Sequence, residues 1–437
     1  MKSSTIALTL LASSTEVLGF PQLAVDQLAK LAAQSGEKLP RLLQEKHEDL
    51  KRQAGFDAGA QAVSVTGEHA FVAPNFGAGD QRGPCPGLNA AANHGYIDHS
   101  GVDTFNNILA GVNEAYGMAL DLATFLAVYG TVFDGNPISL TPGYSIGGYS
   151  PRSQNILGNA LGLLGQAEGL SGSHNKYESD SSPTRPDMYL EGQAFRVSVP
   201  QAQQYVDNTP SDPISAPDWY DSLFEYRISR FDDSINRNGR FFFSPFAGVL
   251  VAPAGYSFPP AMMSNHSAEF PEGYMTKDIF KQFFSLGGAD DAITYEEGHE
   301  RIPENWYKRA IGDEYTIAGF LADVLSYAIR DPRLLSVGGN TGEPNTFTPV
   351  DIGDLTGGVF NAATLLEGNN LQCFVFQSIL AASPDVLGGG IVTSSPFKQL
   401  SNTLLSGIAG AGCPQLTSIN NKLYEQYPGY DASQGAV

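Results

Sequence analysis

Cys85 is the residue of the 437-residue chain whose type and setting point most directly to chemistry. It lies between Pro84 and Pro86, which restrict the backbone on both sides. The following residues, Leu88 to Asn93, have the composition of a helix. We therefore expect the sulfur near a helix N-terminus, where free N–H groups and the helix dipole favour a thiolate.

Three interpretations of this cysteine are open: a metal ligand, a nucleophile or a buried structural thiol. A nucleophile needs a base; His94 and His99 are near in sequence, but no known catalytic-cysteine pattern surrounds Cys85. A thiolate is a soft ligand that suits iron, so the axial metal ligand is our preferred interpretation. The other histidines have no zinc spacing, and we expect four to be solvated in loops: His99, His174, His266 and His299.

The two remaining cysteines, Cys373 and Cys413, lie close together near the C-terminus. We expect them to form a disulfide, which would stabilise the fold by about 3–4 kcal/mol on loop-entropy grounds. Two buried free thiols are the alternative.

The N-terminus resembles a short secretory signal, with Lys2, an apolar stretch and small residues near Gly19. We expect a signal peptide over 1–19, a helical arm or propeptide over 20–64, and one domain over 65–430. The sequon at Asn265 predicts a glycosylation site in a secreted protein.

Composition excludes several classes of partner. The 25 Lys and Arg against 46 Asp and Glu give a net charge of −21, so nucleic acid and anionic membrane surfaces would repel the chain. No apolar run reaches the roughly 18 residues of a membrane span. No signal for an oligomeric state is evident.

The pattern of apolar residues predicts a mainly α domain with long loops, because Gly (48) and Pro (27) are abundant. Pro245 to Pro260 is interpreted as an apolar loop. Two helical stretches are expected around Cys373 and Cys413. Further helices are predicted at 100–135, 156–164, 186–209, 217–238, 275–286, 303–310 and 315–329.

The residues around Cys85 resemble the signature of the haem-thiolate peroxidases, the mainly fungal chloroperoxidases and unspecific peroxygenases. The similarity is carried by Gly-Pro-Cys-Pro-Gly-Leu-Asn, followed by Ala-Asn-His-Gly, within 83–95. It implies a chloroperoxidase-like domain in which Cys85 is the axial ligand of haem b. Such a thiolate pushes electron density onto the iron and favours O–O cleavage, so hydrogen peroxide is the implied oxidant.

A second stretch, Tyr177 to Arg185, is similar to the metal motif of this family, which has Glu-Gly-Asp or Glu-His-Asp before Ser and Thr-Arg. The resemblance implies Mg²⁺ or Mn²⁺ beside a haem propionate. Its ligands would be the Glu178 carboxylate, the Ser179 carbonyl and the Ser182 hydroxyl, oxygen donors that suit Mg²⁺. Taken without the family, this stretch would be a solvated acidic loop. The longer peroxygenases also carry a C-terminal disulfide.

One functional residue of the family has no evident counterpart. The family moves a proton between the peroxide oxygens with a distal Glu, which an Arg seven residues earlier or a His assists. One register places Ala247 and Ala254 at these two positions; another places Arg240 and Ala247 there. No acidic residue lies between Asp233 and Glu269.

Three explanations for peroxide activation are open. Glu269 or Glu272 reaches the site, Tyr256 or water substitutes at a lower rate, or efficient activation has been lost. Arg240 is a further weak candidate, for which a structural or propionate contact is the better interpretation. Six aromatic residues of this region form either an apolar channel or ordinary core: Phe241, Phe242, Phe243, Phe246, Tyr256 and Phe258.

These observations predict a secreted haem-thiolate peroxidase or peroxygenase that uses hydrogen peroxide on a small aromatic or aliphatic substrate. Halide oxidation is a further option. Because the distal Glu is missing, two alternatives stay open: a tailoring enzyme of secondary metabolism with the same fold, and a secreted haem-binding protein with little turnover.

Overall fold

The computed structural model describes residues 55–137, 139–154, 166–362, 365, 370–382, 413–416 and 418–430. The predicted signal peptide, most of the predicted arm, the helix predicted at 156–164 and the stretch before Cys413 lie outside these residues. Within them, the chain is rich in helix and has only short strands, which confirms the mainly α prediction.

Thirteen α-helices occur in the described residues, and we number them in chain order. They are α1 Ala58–Gln61, α2 Pro86–Asn93, α3 Phe105–Tyr116, α4 Leu120–Phe133, α5 Met188–Glu191, α6 Val199–Asp207, α7 Ala216–Ser222, α8 Phe224–Arg237, α9 Ala252–Phe258, α10 Lys277–Phe283, α11 Ile317–Arg330, α12 Ile352–Thr356 and α13 Asn370–Ala382.

The described strands are short and pair antiparallel in four small sheets, β1-β2, β3-β5, β4-β8-β9 and β6-β7. They are β1 Val102–Thr104, β2 Gly143–Ser145, β3 Ile214–Ser215, β4 Phe242–Phe243, β5 Tyr274–Met275, β6 Leu286–Ala289, β7 Ala292–Tyr295, β8 Gly338–Gly339 and β9 Thr348–Pro349.

Local signals placed most of the helices correctly. The Thr104 side chain caps α3 by accepting from the N–H of Asn107, and Asp134 follows the end of α4. The predicted 100–135 helix is divided at Gly117, whose φ of 66° is left-handed. The 186–209 prediction is divided in the same way after α5, and 217–238 corresponds to α7 and α8. The predictions at 275–286 and 315–329 correspond to α10 and α11.

The predicted loop at 245–260 is wrong, because the chain is helical from Ala247 to Met263. Two wide π-helical turns, Ala247–Val251 and Pro259–Met263, flank α9. The prolines lie in the first positions of these segments, where a missing N–H is tolerated. The wider turns also accommodate prolines that would clash with the tighter coil of a continuous α-helix.

The predicted helix at 303–310 is also wrong. Its backbone is irregular, with a turn at Glu304 and Asn305, and is satisfied by distant chain segments: Trp306 O accepts from Val63 N, and Tyr307 O accepts from His266 N. Tertiary hydrogen bonds thus replace the local bonds that a helix would have made.

Three packing contacts of these helices determine where the site lies. Helix α2 packs against α3 and α10, and α9 packs against α11. The Cys373–Cys413 disulfide is present, with its Cα atoms 5.4 Å apart, as predicted. None of the described helices is both long enough and apolar enough to cross a membrane.

Candidate active site

The first feature of the site is Cys85 at the N-terminus of α2. Its backbone is extended (φ −90°, ψ 107°), and Pro86 takes the first helical position. Gly83 is required by close packing, because a Cβ there would lie 2.1 Å from the carbonyl oxygen of Ile146. The helix start predicted for this cysteine is confirmed.

Buried side chains of α2 tie the loop before Cys85 to the helix. Asn89 accepts from Gly83 N through Oδ1 and donates to Gly83 O through Nδ2, both at 3.0 Å. Arg82 donates from Nε and Nη2 to Asn93 Oδ1 at 2.9 and 2.6 Å. These bonds leave the sulfur little freedom, because buried polar networks that are well satisfied are rigid.

Burial raises the pKa of the Cys85 thiol, while the N–H groups of Leu88 and Gly87 and the Arg185 guanidinium act in the opposite direction. The helix N-terminus therefore favours the thiolate as expected, but in the protein alone it does not outweigh burial. A metal ion on the sulfur would reverse this balance, since coordination deprotonates a thiol outright.

The second feature is the loop 178–185, which lies in the interior rather than in solvent. Asp180 is fully buried, and its carboxylate accepts from Met188 N and Asn238 Nδ2, both at 2.9 Å. Glu178 is 6% exposed. The alternative of a solvated acidic loop is therefore wrong.

His174 joins this loop, although we expected it to be solvated. Its Nδ1 lies 2.6 Å from Glu178 Oε2, and its Nε2 lies 4.0 Å from Asp180 Oδ1. Burial opposes protonation, but these two carboxylates raise the pKa of His174 to about 9. Donor atoms of the three residues lie within 4.8 Å of one another, close enough to hold a metal ion. The four-residue spacing between His174 and Glu178 was the available sequence signal.

One edge of the loop carries buried polar atoms without a hydrogen-bond partner in the described part of the chain. They are Glu178 Oε1, Ser179 Oγ, and Nε and Nη2 of Arg185. Unsatisfied buried polar groups are costly. An edge that offers both a carboxylate and a guanidinium is therefore suited to a ligand that is partly anionic and partly cationic.

A cavity of about 200 Å³ lies between Cys85 and this edge. Its walls are mostly apolar and come from α2, α3, α4, α9 with its flanking turns, and α11. The wall residues that face it include Ile108, Tyr116, Phe125, Leu126, Phe246, Leu250, Val251, Ala254, Gly255, Phe258, Met262 and Phe320. Cys85, Glu178, Ser179, Ser182 and Arg185 face the same cavity.

Comparison of the sequence with known proteins identifies the family to which the chain belongs. The family model for peroxidase, family 2, matches residues 69–311, more than half of the chain, and includes both Cys85 and the loop 178–185. The chain belongs to peroxidase family 2, the fungal haem-thiolate peroxidases.

Curated relatives support this family membership. Aromatic peroxidase fscJ of Fusarium equiseti is 42% identical over 86% of each chain. Dothistromin biosynthesis peroxidase dotB of Dothistroma septosporum is 38% identical over 98% of each chain. An aromatic peroxygenase of Coprinellus radians is 37% identical over 26% of this chain and 40% of its own length. As a member of the family, the chain is an oxidoreductase that acts on peroxide and an organic substrate.

The residues present fit the haem of the family. A free thiol lies at a helix N-terminus on an apolar cavity. Arg185 faces the same cavity, and its Nε and Nη2 have no hydrogen-bond partner among the described residues, as a propionate would require. The three residues that the metal motif implies, Glu178, Ser179 and Ser182, lie together at that edge.

In the part of the chain that the structure describes, the cavity wall away from Glu178 carries no carboxylate. Ala254, one of the two alanines aligned with the family's Glu, faces the cavity; Ala247 is buried outside it. Among the described lining residues, the only acidic side chain is Glu178, which lies at the loop edge. Glu269 and Glu272 do not reach the cavity lining.

The two weak catalytic candidates also lie outside the cavity lining. Tyr256 is fully buried on α9, and its hydroxyl donates to Ser181 O at 3.0 Å. The Arg240 guanidinium lies over the Tyr189 ring, 5.2 Å from its centroid. These contacts favour structural roles for both. Of the predicted channel aromatics, only Phe246 and Phe258 face the cavity.

The predicted glycosylation site is engaged in the fold. Asn265 is partly buried; its Nδ2 donates to Tyr274 OH (3.1 Å) and Asn305 O (3.3 Å), and its Oδ1 accepts from Tyr307 N (2.8 Å). A glycan would replace one hydrogen of this amide, so modification stays a prediction that must compete with these bonds.

Proposed function

We propose that this peroxidase binds haem b through Cys85 and uses hydrogen peroxide to oxidise or oxygenate an apolar organic substrate. The observation that carries the proposal is that Cys85 lines an apolar cavity together with Arg185 and Glu178, each of which has side-chain atoms without a hydrogen-bond partner among the described residues. When bound, a thiolate-ligated haem supplies the redox chemistry of peroxide O–O cleavage.

The residues of the chain have distinct roles in this proposal. Asn89 holds the loop that presents the sulfur, and Arg185 offers two N–H groups to a propionate. Glu178, Ser179 and Ser182 would hold Mg²⁺ beside that propionate. His174, hydrogen-bonded to Glu178, would orient the carboxylate of this metal site.

The cavity wall supports an apolar aromatic or aliphatic substrate. Phe125, Phe246 and Phe258 offer ring faces and edges, and the wall at Ala254 offers no charge to orient a polar group. A free halide would lose its hydration there without a cationic partner on this wall, so halide oxidation is the less favoured use of the site.

A tailoring step in secondary metabolism is the second candidate. The missing distal carboxylate favours a substrate that supplies or relays its own proton, and a relative that covers nearly the whole chain is named for dothistromin biosynthesis. Membership of an enzyme family weighs against the third alternative, a haem-binding protein with little turnover.

The test is spectroscopic. Purified protein loaded with haem is reduced and treated with carbon monoxide, and the expected result is a Soret band near that of cytochromes P450, the mark of a thiolate ligand. Cys85→Ala should lose this band or fail to retain haem, while Cys373→Ala, which lacks one disulfide cysteine, should keep it. Haem-replete wild-type protein without the band would refute the proposal.

If the band is present, a measurement of catalytic turnover distinguishes an enzyme from a haem-binding protein with little turnover. We expect peroxide-dependent oxidation of a generic aromatic substrate, with Mg²⁺ present in about equimolar amount in the purified protein. Analysis of the products distinguishes oxygen insertion from one-electron oxidation.

We also propose that the protein is exported. The predicted signal over 1–19 supports this, and the Cys373–Cys413 disulfide is of a kind that persists in oxidising compartments. N-terminal sequencing of protein recovered from the medium of an expressing fungal host would test it. The same sample reports whether 20–64 is removed and whether Asn265 carries a glycan.

A further inference from the structure

Glu300, which none of the predicted motifs contains, lies in the buried network beside Cys85. Its side chain is fully buried. Oε1 accepts from Asn89 Nδ2 at 2.9 Å and lies 3.8 Å from Arg185 Nη2, whereas Oε2 has no hydrogen-bond partner among the described residues. A buried carboxylate with so few partners is unfavourable for stability alone, so it invites a functional explanation.

Glu300 determines how the Asn89 amide is turned. An ionised carboxylate can only accept hydrogen bonds, so it requires the Nδ2 side of Asn89 to face it. The Oδ1 side is then left to accept from Gly83 N. The backbone N–H of Asn89 also donates to Cys85 O at 3.1 Å, so the residue that Glu300 orients bonds to both Gly83 and Cys85 in the loop that carries the sulfur.

Glu300 and Arg185 form a pair of opposite charges close to the sulfur. The Arg185 guanidinium favours the thiolate, and the Glu300 carboxylate opposes it. Both side chains are almost fully excluded from solvent, so their fields are weakly screened. Burial raises the pKa of Glu300, while the Arg185 guanidinium and the Asn89 amide act in the opposite direction. In its ionised form, the negative charge of Glu300 stabilises the more positive, oxidised state of an iron bound to the sulfur.

We propose that Glu300 is a positioning residue that fixes Asn89 and Arg185 and keeps the reduction potential of the thiolate-bound iron low. This inference rests on the proposed function, because it presupposes that Cys85 ligates the haem. The loop after β7, which carries Glu300, would thus influence the reduction potential of the iron, although Glu300 is not among the residues that line the cavity.

The test is a spectroelectrochemical titration of the haem-loaded full chain. Glu300→Gln keeps the size of the side chain but removes its charge. We expect at least a tenfold lower ferric-to-ferrous ratio at a fixed electrode potential, which corresponds to a rise of about 59 mV for a one-electron couple. Glu300→Asp keeps the charge and should stay closer to the wild type.

The matched control is Glu297→Gln, in the same loop. Glu297 is partly exposed and pairs with Arg196 at the surface, so its loss should leave the potential unchanged. Should Glu300→Gln fail to retain haem, Arg185→Gln provides the opposite test, because removal of the positive charge should lower the potential.

The possible outcomes separate this inference from the proposed function. If Glu300→Gln and Arg185→Gln both keep the thiolate CO band and neither changes the reduction potential of the haem iron, the role of Glu300 is refuted. The ligation of haem by Cys85 then still stands. If the wild type itself lacks that band, the proposed function fails first.

Discussion

Cys85 shows how neighbours, rather than residue type, give a side chain its role. All three cysteines of the chain have the same thiol, but two are joined in a disulfide far along the chain. Cys85 is free, has a proline on each side and lines a cavity at the start of α2. Its chemistry follows from that backbone and from the charges of Arg185 and Glu300.

Ala254 offers a test of the missing acid–base group at the residue scale. Ala254→Glu places a carboxyl on the cavity wall at the position that one of the two registers aligns with the family's distal Glu. We expect the second-order rate constant of the haem-loaded protein with hydrogen peroxide to rise at least about tenfold, short of the roughly 10²–10⁴-fold of an evolved acid–base group. Stopped-flow absorbance measures it directly.

Ala254→Gln is the control, because it has nearly the same size but cannot transfer a proton in this way. A similar gain in both variants would show that bulk or polarity, not proton transfer, changed the rate. No gain in Ala254→Glu would mean that this wall does not face the peroxide.

The segment from Ala247 to Met263 is a helical element that supplies a large part of the cavity wall. Two π-helical turns widen it, and α9 between them packs closely on the loop 178–185. Gly255 permits this approach, since a Cβ there would lie 2.8 Å from Pro183 Cδ. Helix α9 and the loop 178–185 therefore come into contact at Gly255, which has no side chain.

Gly255→Ala should therefore move α9 away from the loop. We expect a loss of about 1–3 kcal/mol in the free energy of unfolding, as for other overpacked positions. Haem retention should fall with it, because both elements line the cavity. Urea denaturation and the haem-to-protein ratio of the purified variant measure the two effects.

Gly148→Ala serves as the comparison for this change. A Cβ at Gly148 would meet its nearest atom, Gln81 Oε1, at 3.8 Å, which is ordinary contact. Equal losses in the two variants would show that the contact with Pro183 is not the cause, because Gly→Ala in itself lowers the entropy of the unfolded chain and stabilises the fold.

At the scale of the whole molecule, several buried titratable groups make stability depend on pH in opposite senses. Burial raises the pKa of Asp134 to about 8 and that of Asp323 to about 7. Each contributes stability at low pH that is lost as the pH rises from the unfolded value towards these values. His266 acts in the other direction: burial, aided by Arg309, lowers its pKa to about 3.

His266→Gln isolates the histidine contribution. The unfolded pKa is about 6.5, so the unfolded state binds more protons between about pH 3 and 6.5. Stability from the neutral imidazole is complete above about pH 6.5 and is lost as the pH falls towards 3, by up to about 4–5 kcal/mol. The variant should lose less stability over this range, as measured by urea denaturation at a series of pH values.

The comparison variant is His299→Gln, because His299 lies near the surface beside Glu296. Its pH profile should run parallel to that of the wild type. A profile of His266→Gln that also runs parallel would show that the pKa of His266 does not differ between the folded and unfolded states.

Much of the site was predictable because its signals act over a few residues. The prolines around Cys85, the cap at Thr104 and the glycines that end helices constrain their own neighbours directly. The helical pattern failed at 245–260, where prolines suggested a loop although they occupy tolerated positions, and at 303–310, where distant partners take the backbone hydrogen bonds.

The sequence by itself determined the fold class and the single thiol at a helix start, since both follow from local composition and spacing. The metal site of the loop 178–185 was suggested only by the resemblance of that loop to the family motif, and it stays a prediction. Only the tertiary structure decided that His174 meets Glu178, that Tyr256 faces away from the cavity, and that Glu300 lies beside Asn89 across 211 residues of chain. Burial and charge pairing depend on which segments pack together, and that packing is a property of the whole chain rather than of any local pattern.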